Sequence, residues 1–482
     1  MKSKLKKFTE FSQDMLPHEL DYLLEVQQFQ DADNLAILRH MRDNCDRLEH
    51  PQPFDTRIDK RKYSNLKTWI QNRLEAIDVD EQYERFSALD RKVITDSITP
   101  AEEKQILAAV RKYDKPYFYF TKFYELLENY RHFLLIRLRY DEHKVVNAFL
   151  KKHKAAYQRS RKVFSTLHTA TEDIIEQHAA QSRDPRKWET WLTEVFYDEK
   201  LDGHNRYLAL VRLTFMYVNY REFEKLAPMY DYLDDMFRRG ENYSRRLVAN
   251  YYANRLIYHA KFDELEDAEW YGRLSVRYRN TEYLYYVTNL SAILLRRGKS
   301  EASLHLMKEA FPHLKHTPNY HHKTGFVAFY LRSLNECGQC ANAERYAETF
   351  IRSYKDHLFA QRWHIFFTAY LQSLLLQEKY SKLLRVARKY GLLKREAEYQ
   401  KRALYLPTIT WYHAVAQYKE TELNLTELEQ LLVDSSQAMK EDAHKLRLVI
   451  DLADELKPHI PGVFGWLKSG LEEEEAKALT KS

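Results

Sequence analysis

Apolar residues recur at helical spacing along most of this chain. Leu16, Leu20, Leu23 and Leu24 share one face, and Leu35, Leu38 and Met41 share another, so residues 1 to 50 read as helices. Pro51-Gln52-Pro53 is the first firm break, since proline restricts its own backbone and the residue before it. The amphipathic pattern resumes with Tyr63, Leu66, Ile70 and Leu74. Thr99-Pro100-Ala101-Glu102 has the form of a helix start, with Thr as N-cap, Pro at the first helical position and acids in the first turn. One long helix is predicted over 117–150, with Phe120, Phe123, Leu127, Tyr130, Leu134 and Leu138 along a stripe. Asp184-Pro185 opens another that carries Trp188 and Trp191.

From about residue 205 the pattern becomes periodic. A short turn recurs as Arg221-Glu222-Phe223, Lys261-Phe262-Asp263, Gly298-Lys299-Ser300, Gly338-Gln339-Cys340 and Lys379-Tyr380-Ser381. Each lies between two helical runs. The first packing residues after the turns are Leu226, Leu265, Ser303, Ala343 and Leu383, separated by 39, 38, 40 and 40 residues. A period of that length marks stacked helix pairs, not one closed core. The pattern decays at Thr421-Glu422-Leu423-Asn424, and a helix over about 440–456 is expected to cap the stack before Pro458 and Pro461 stop it. The acidic run Glu472 to Glu475 reads as a solvated helix or a frayed end.

Composition sharpens this picture toward an all-α chain. Only 10 Gly and 12 Pro occur in 482 residues, against roughly 34 and 24 at average usage. Sheets and enzyme loops need turn residues that helix interiors exclude. The 36 Tyr suit half-buried helix interfaces, where the ring packs and the hydroxyl stays wet. A net charge of +6 permits an acidic partner without demanding nucleic acid. Three cysteines form no disulfide framework, and no apolar run reaches membrane-span length. The basic N-terminus lacks an apolar run after it, so a cytoplasmic chain is expected.

The run Leu294-Leu295-Arg296-Arg297-Gly298-Lys299-Ser300-Glu301-Ala302-Ser303 resembles the passage from first to second helix in the tetratricopeptide-repeat superfamily. The resemblance covers residues 205–435, about half the chain. Leu226, Leu265 and Leu383 stand where the family has a small residue, and the period exceeds about 34. Longer helices or loops absorb that difference, and other helix-pair repeats stay open. The resemblance implies a right-handed solenoid of TPR-like helical hairpins behind an irregular helical N-terminal region. The expected divisions are 1–98, 99–200, 201–440 for the repeats, and 441–482 for a capping helix and acidic tail.

No catalytic residue, metal site or cofactor is expected. Gly298-Lys299-Ser300 ends like a phosphate loop, but Ile293 stands where that loop needs its first glycine. Cys337-x-x-Cys340 has zinc spacing, yet His321 and His322 stand about 15 residues earlier, roughly 20 Å along a helix. His313, His316, His321 and His322 read as a solvated loop. Glu441-x-x-His444 is half of a di-iron motif without its second half.

In tetratricopeptide-like stacks the first helices line a concave face. The resemblance places Asn250, Asn254 and Tyr258 there in one copy, then Tyr285 and Thr288, Arg332 and Asn335, and Thr368 and Gln372 in the next three. Asn250, Asn254 and Tyr258 follow i, i+4, i+8 spacing, so one helix face presents all three. Amide side chains both donate and accept, which suits an extended peptide backbone. Leu208, Val211, Phe215 and Val218 are apolar at the matching positions of the first copy, so residues 1–200 are expected to cover them. The expected function is a non-catalytic scaffold that binds a protein or peptide segment. Two other readings stay open. One is RNA or single-stranded nucleic acid on basic stretches such as Lys151 to Lys154 with Arg159, Arg161 and Lys162, or Arg238-Arg239 with Arg245-Arg246. The other is an activity within residues 1–200 around Trp69, Trp188 and Trp191.

Overall fold

A computed structural model describes residues 5–48, 50–180, 185–360, 362–400, 405–437, 439 and 443–479. Among the described residues every regular element is helical, as the scarcity of Gly and Pro predicts. The chain forms two compact units, residues 1–262 and 263–482. That division falls inside the stretch expected to hold the repeats. Asp184 and Glu441 lie outside the described residues, as do the first four residues of the basic N-terminus.

The first unit contains α1 (Lys6–Gln13), α2 (Pro17–Val26), α3 (Ala32–Asp46), α4 (Lys60–Ile77), α5 (Val79–Ile94) and α6 (Pro100–Lys112). It continues with α7 (Phe120–Ile136), α8 (Tyr140–Ala180), α9 (Glu189–Tyr197), α10 (Gly203–Tyr220), α11 (Ala227–Arg238) and α12 (Arg245–Lys261). Thr99 caps α6 as its sequence predicts: Glu102 accepts from the Thr99 N–H at 2.9 Å, and the Glu102 N–H donates to the Thr99 hydroxyl at 3.4 Å. The single helix expected over 117–150 is two. Leu138 takes a left-handed backbone, φ 58°, and Arg139 N–H closes onto Leu134 carbonyl at 3.0 Å. The stripe from Phe120 to Leu134 is buried with Phe86, Ile106 and Phe149, whereas Leu138 points out. Helix α8 packs on α10, where Arg212 Nε donates to Leu167 carbonyl at 3.0 Å and to the Thr171 hydroxyl at 2.8 Å. It does not close the apolar face of α10, because Val211 and Phe215 remain 39% and 41% exposed.

The second unit contains α13 (Leu265–Ser275), α14 (Tyr283–Arg296), α15 (Ser300–Ala310), α16 (Tyr320–Glu336), α17 (Cys340–Ala360) and α18 (Trp363–Leu375). It ends with α19 (Tyr380–Tyr390), α20 (Leu392–Tyr399), α21 (Thr408–Lys419), α22 (Leu425–Gln437), α23 (Ala443–Leu456) and α24 (Pro461–Leu479). Alternate helices pack on one another, α14 on α16, α16 on α18 and α18 on α21. Pro461 opens α24 where the sequence suggested only a stop, and the acidic run Glu472 to Glu475 is helical.

Four of the five recurring turns share one corner, Thr421 adds another, and the turn at Lys261-Phe262-Asp263 differs, with its left-handed residue at Asp263. Arg221, Gly298, Gly338, Glu378 and Thr421 all have a left-handed backbone, with φ between 55° and 69°. The next residue's N–H closes onto the carbonyl five positions back: Glu222 on Tyr217, Lys299 on Leu294, Gln339 on Leu334, Lys379 on Leu374 and Glu422 on Gln417, all at 2.8–2.9 Å. This geometry resets the register. Glu378, not Lys379, is the corner residue, and Thr421 makes a further copy where the sequence reads as decay. Beyond the Gly298 corner, Ser303 is fully buried, and its hydroxyl bonds those of Ser291 at 2.7 Å and Ser333 at 2.8 Å.

Candidate functional site

Four segments of the first unit converge on a concavity of about 330 Å³. The first turns of α5 supply Asp80, Tyr83 and Glu84, and the residue before α7 supplies Tyr119. The start of α10 supplies His204, Tyr207 and Leu208, and α12 supplies Arg246. Backbone bonds fix these starts in space. His204 N–H donates to Phe118 carbonyl at 3.0 Å, and Val79 N–H donates to Tyr243 carbonyl at 2.8 Å. Gly203 allows the approach, since a Cβ there would stand 2.5 Å from the Phe118 ring and 2.6 Å from Asn242 Oδ1.

The walls are aromatic and the floor is an ion pair. Tyr83 and Tyr119 have ring centroids 4.7 Å apart, Tyr119 and His204 5.1 Å, and Phe164 stacks on His204 at 6.0 Å. Arg246 grips Asp80 with two bonds, Nε to Oδ2 at 2.9 Å and Nη2 to Oδ1 at 2.8 Å. The Tyr119 hydroxyl accepts from Arg246 at 3.1 Å and donates to Asp80 at 3.2 Å. Burial works against the Asp80 carboxylate, but the Arg246 hydrogen bond and charge hold it below the usual range. Burial also pushes the His204 imidazole down, so it is neutral at pH 7. Three tyrosines, a histidine and the Asp80–Arg246 ion pair make up most of the lining. They form a rigid recess with polar edges.

The expected amide row borders this recess. Arg246, Asn250 and Asn254 succeed one another by four along α12. Tyr207 hydroxyl donates to Asn250 Oδ1 at 2.9 Å, and Asn254 Nδ2 donates to the same oxygen at 3.1 Å. Both amides are half-buried. Their remaining groups, Asn250 Nδ2 and Asn254 Oδ1, have no hydrogen-bond partner among the described residues. Tyr258 is the third member by spacing, and its ring packs against Phe262 at 5.0 Å and Tyr230 at 6.1 Å.

The six expected positions in the second unit fare differently. Arg332 is exposed, and Tyr285 is half-buried with its ring stacked on His322 at 5.6 Å. Thr288, Asn335 and Gln372 are buried, which corrects their expected place on an open face. Thr288 hydroxyl bonds Leu284 carbonyl of its own helix at 2.7 Å. Asn335 Nδ2 donates to Ala369 carbonyl at 2.9 Å and to Gln372 Oε1 at 3.0 Å. Gln372 Nε2 then donates to Glu455 of α23 at 3.0 Å, and Tyr412 hydroxyl donates to the same carboxylate at 2.5 Å. Helix α23 thus covers positions that a ligand was expected to reach. Thr368 Oγ1 is buried without a partner.

Several side chains behind the other readings have local partners. Cys337 and Cys340 are free thiols, pushed up by burial, and neither joins a metal-sized group of side chains among the described residues. Of the basic stretches, Arg159 pairs with Asp198, Arg161 with Glu125, Arg238 with Asp234, Arg245 with Glu19 and Arg246 with Asp80. Trp188 donates to Asp173 at 2.8 Å and Trp69 packs on Phe29 at 4.6 Å. No helix of the described residues is long and apolar enough to cross a membrane. The recess was hidden from sequence reading because Asp80 and Arg246 lie 166 residues apart. The one legible signal was the four-residue spacing from Arg246 through Asn250 to Asn254. No protein-family model, curated protein or solved structure shows significant similarity to this chain.

Proposed function

We propose that this chain is a non-catalytic, cytoplasmic binding scaffold, built in part from tetratricopeptide-like helix pairs in a right-handed arrangement, that holds an extended protein or peptide segment. The site is the half-buried edge of α12 with the adjoining recess. The observation that carries the reading is the continuity of the two: unpaired amide groups on Asn250 and Asn254 border a recess walled by Tyr83, Tyr119, His204 and Tyr207. The amides suit a peptide backbone, and the recess has room for one large side chain. Rigid tyrosine walls bury large area with little loss of rotamer entropy, which favours affinity.

The test is a double substitution. Asn250→Ala with Asn254→Ala leaves the core untouched, so the melting temperature should stay within a few degrees. Binding to a peptide selected on the wild-type protein should weaken by about ten-fold or more, equivalent to roughly 1.4 kcal/mol. Unchanged binding removes the α12 edge from the site. Binding that instead falls steeply between roughly 50 and 200 mM salt, on an RNA probe, supports the nucleic-acid reading.

A further inference from the structure

Arg362 immediately precedes α18 and holds a left-handed backbone with φ 54°. A side chain there is sterically disfavoured. Its guanidinium lies on Gly325 of α16: a Cβ on Gly325 would stand 2.5 Å from Arg362 Nη1. A glycine inside a helix is also disfavoured relative to alanine. Two local penalties therefore accompany the placing of one cation. No internal anion accounts for them. Among the described residues the Arg362 side chain makes no ion pair and no hydrogen bond.

The surroundings are short of negative charge. The groups that favour the Arg362 charge are the phenols of Tyr285 and Tyr399. Burial pushes the guanidinium's pKa down, the mark of a cation without compensation. His321 and His322 open α16 beside it, and neither α16 nor α18 has an acidic residue in its first turn. Burial, with Arg362 and His322 adding to it, brings His321 down to about 4. His322 Nδ1 is buried with no hydrogen-bond partner among the described residues, while its Nε2 lies 3.6 Å from Glu282.

We propose that Arg362, flanked by His321 and His322, is an anion-binding site that takes a carboxylate or phosphate group of a ligand. A fork-shaped guanidinium in a partly desolvated seat matches the two oxygens of such a group. This site belongs to the second unit and the α12 edge to the first, so either proposal can fail without the other.

The experiment is thermal denaturation of the full chain in millimolar inorganic phosphate, in acetate, and in chloride of equal ionic strength. Phosphate or acetate should raise the melting temperature by mass action, and the stronger of the two identifies the group preferred. Arg362→Gly relieves the backbone, so it should melt no lower than wild type in chloride, and it should lose the anion-dependent rise. Arg362→Lys keeps the charge without the fork and should weaken the anion about ten-fold. No rise in wild type with either anion overturns the proposal, and so does a rise that survives in Arg362→Gly. Should that variant fail to fold, an undiminished response in Arg362→Lys is equally decisive against it.

Discussion

At the scale of single residues, buried polar groups of α2 fix the first unit. His18 is buried between two partners: its Nδ1 shares a 2.6 Å bond with Tyr252 hydroxyl, and its Nε2 a 2.7 Å bond with Asp234. Next to it, fully buried Glu19 accepts from Tyr243 at 2.5 Å and from Arg245 at 2.8 Å. Burial alone would raise Asp234, but the His18 and Tyr251 bonds with nearby Arg238 bring it down to about 2. A carboxylate depressed on folding adds stability above its unfolded value, near 3.9, and loses it as pH falls through its folded value. The contribution is about 2 kcal/mol at neutral pH. Asp234→Asn should therefore destabilise the protein to urea at pH 7, and the gap from wild type should close between about pH 4 and pH 2. A gap that persists at pH 2 would show that shape, not charge, is what Asp234 supplies.

At the scale of elements, the repeated corner sets where helices turn. Its left-handed residue is glycine at 298 and 338 but Glu at 378 and Arg at 221. The bond pattern is the same in each, so the difference is the steric cost of a side chain at positive φ. Glu378→Gly should stabilise the protein by about 1 kcal/mol, and Gly338→Ala should destabilise it by a similar amount. Equilibrium denaturation measures both, and equal signs for the two would refute the shared geometry. The helices were legible because burial follows a 3.6-residue period, as at Phe120, Phe123, Leu127 and Leu134. The corner's register was not. Glu378 and Thr421 carry no glycine to mark them, and Leu138 breaks a helix inside an apolar run that reads as continuous.

At the scale of the whole molecule, each unit has a core of its own. Phe123, Leu127 and Tyr130 centre one in the first unit, and Phe326, Leu331, Phe367 and Trp411 lie in another in the second. Residues 1–262 and 263–482 expressed separately should each give a cooperative thermal transition. A fragment that melts without cooperativity would show that its core needs the other unit. The candidate site was half legible. Asn250 and Asn254 were singled out by the resemblance, their spacing putting them on one helix face, but the recess needs α5, α7, α10 and α12 together, and no local pattern announces that meeting. The burial of Asn335 and Gln372 was hidden for the opposite reason. Polar residues on a helix face read as wet until a distant carboxylate, here Glu455, supplies the partner that lets them be buried.

The corner at Gly338 also bears on how such a chain can be altered. A side chain added at Gly338 would meet no atom within 4 Å, and the same holds at Gly298. The neighbourhood is open, and what holds the turn is the backbone bond from Gln339 to Leu334. Lengthening the chain there forfeits that one bond and a modest loop-closure entropy, on the order of a kcal/mol each. The buried hydroxyls of Ser291, Ser303 and Ser333 and the packed helix faces are left as they are. These corners are thus points of insertion tolerance, where an epitope or a fluorophore-bearing loop can be carried without disturbing either the α12 edge or the seat of Arg362.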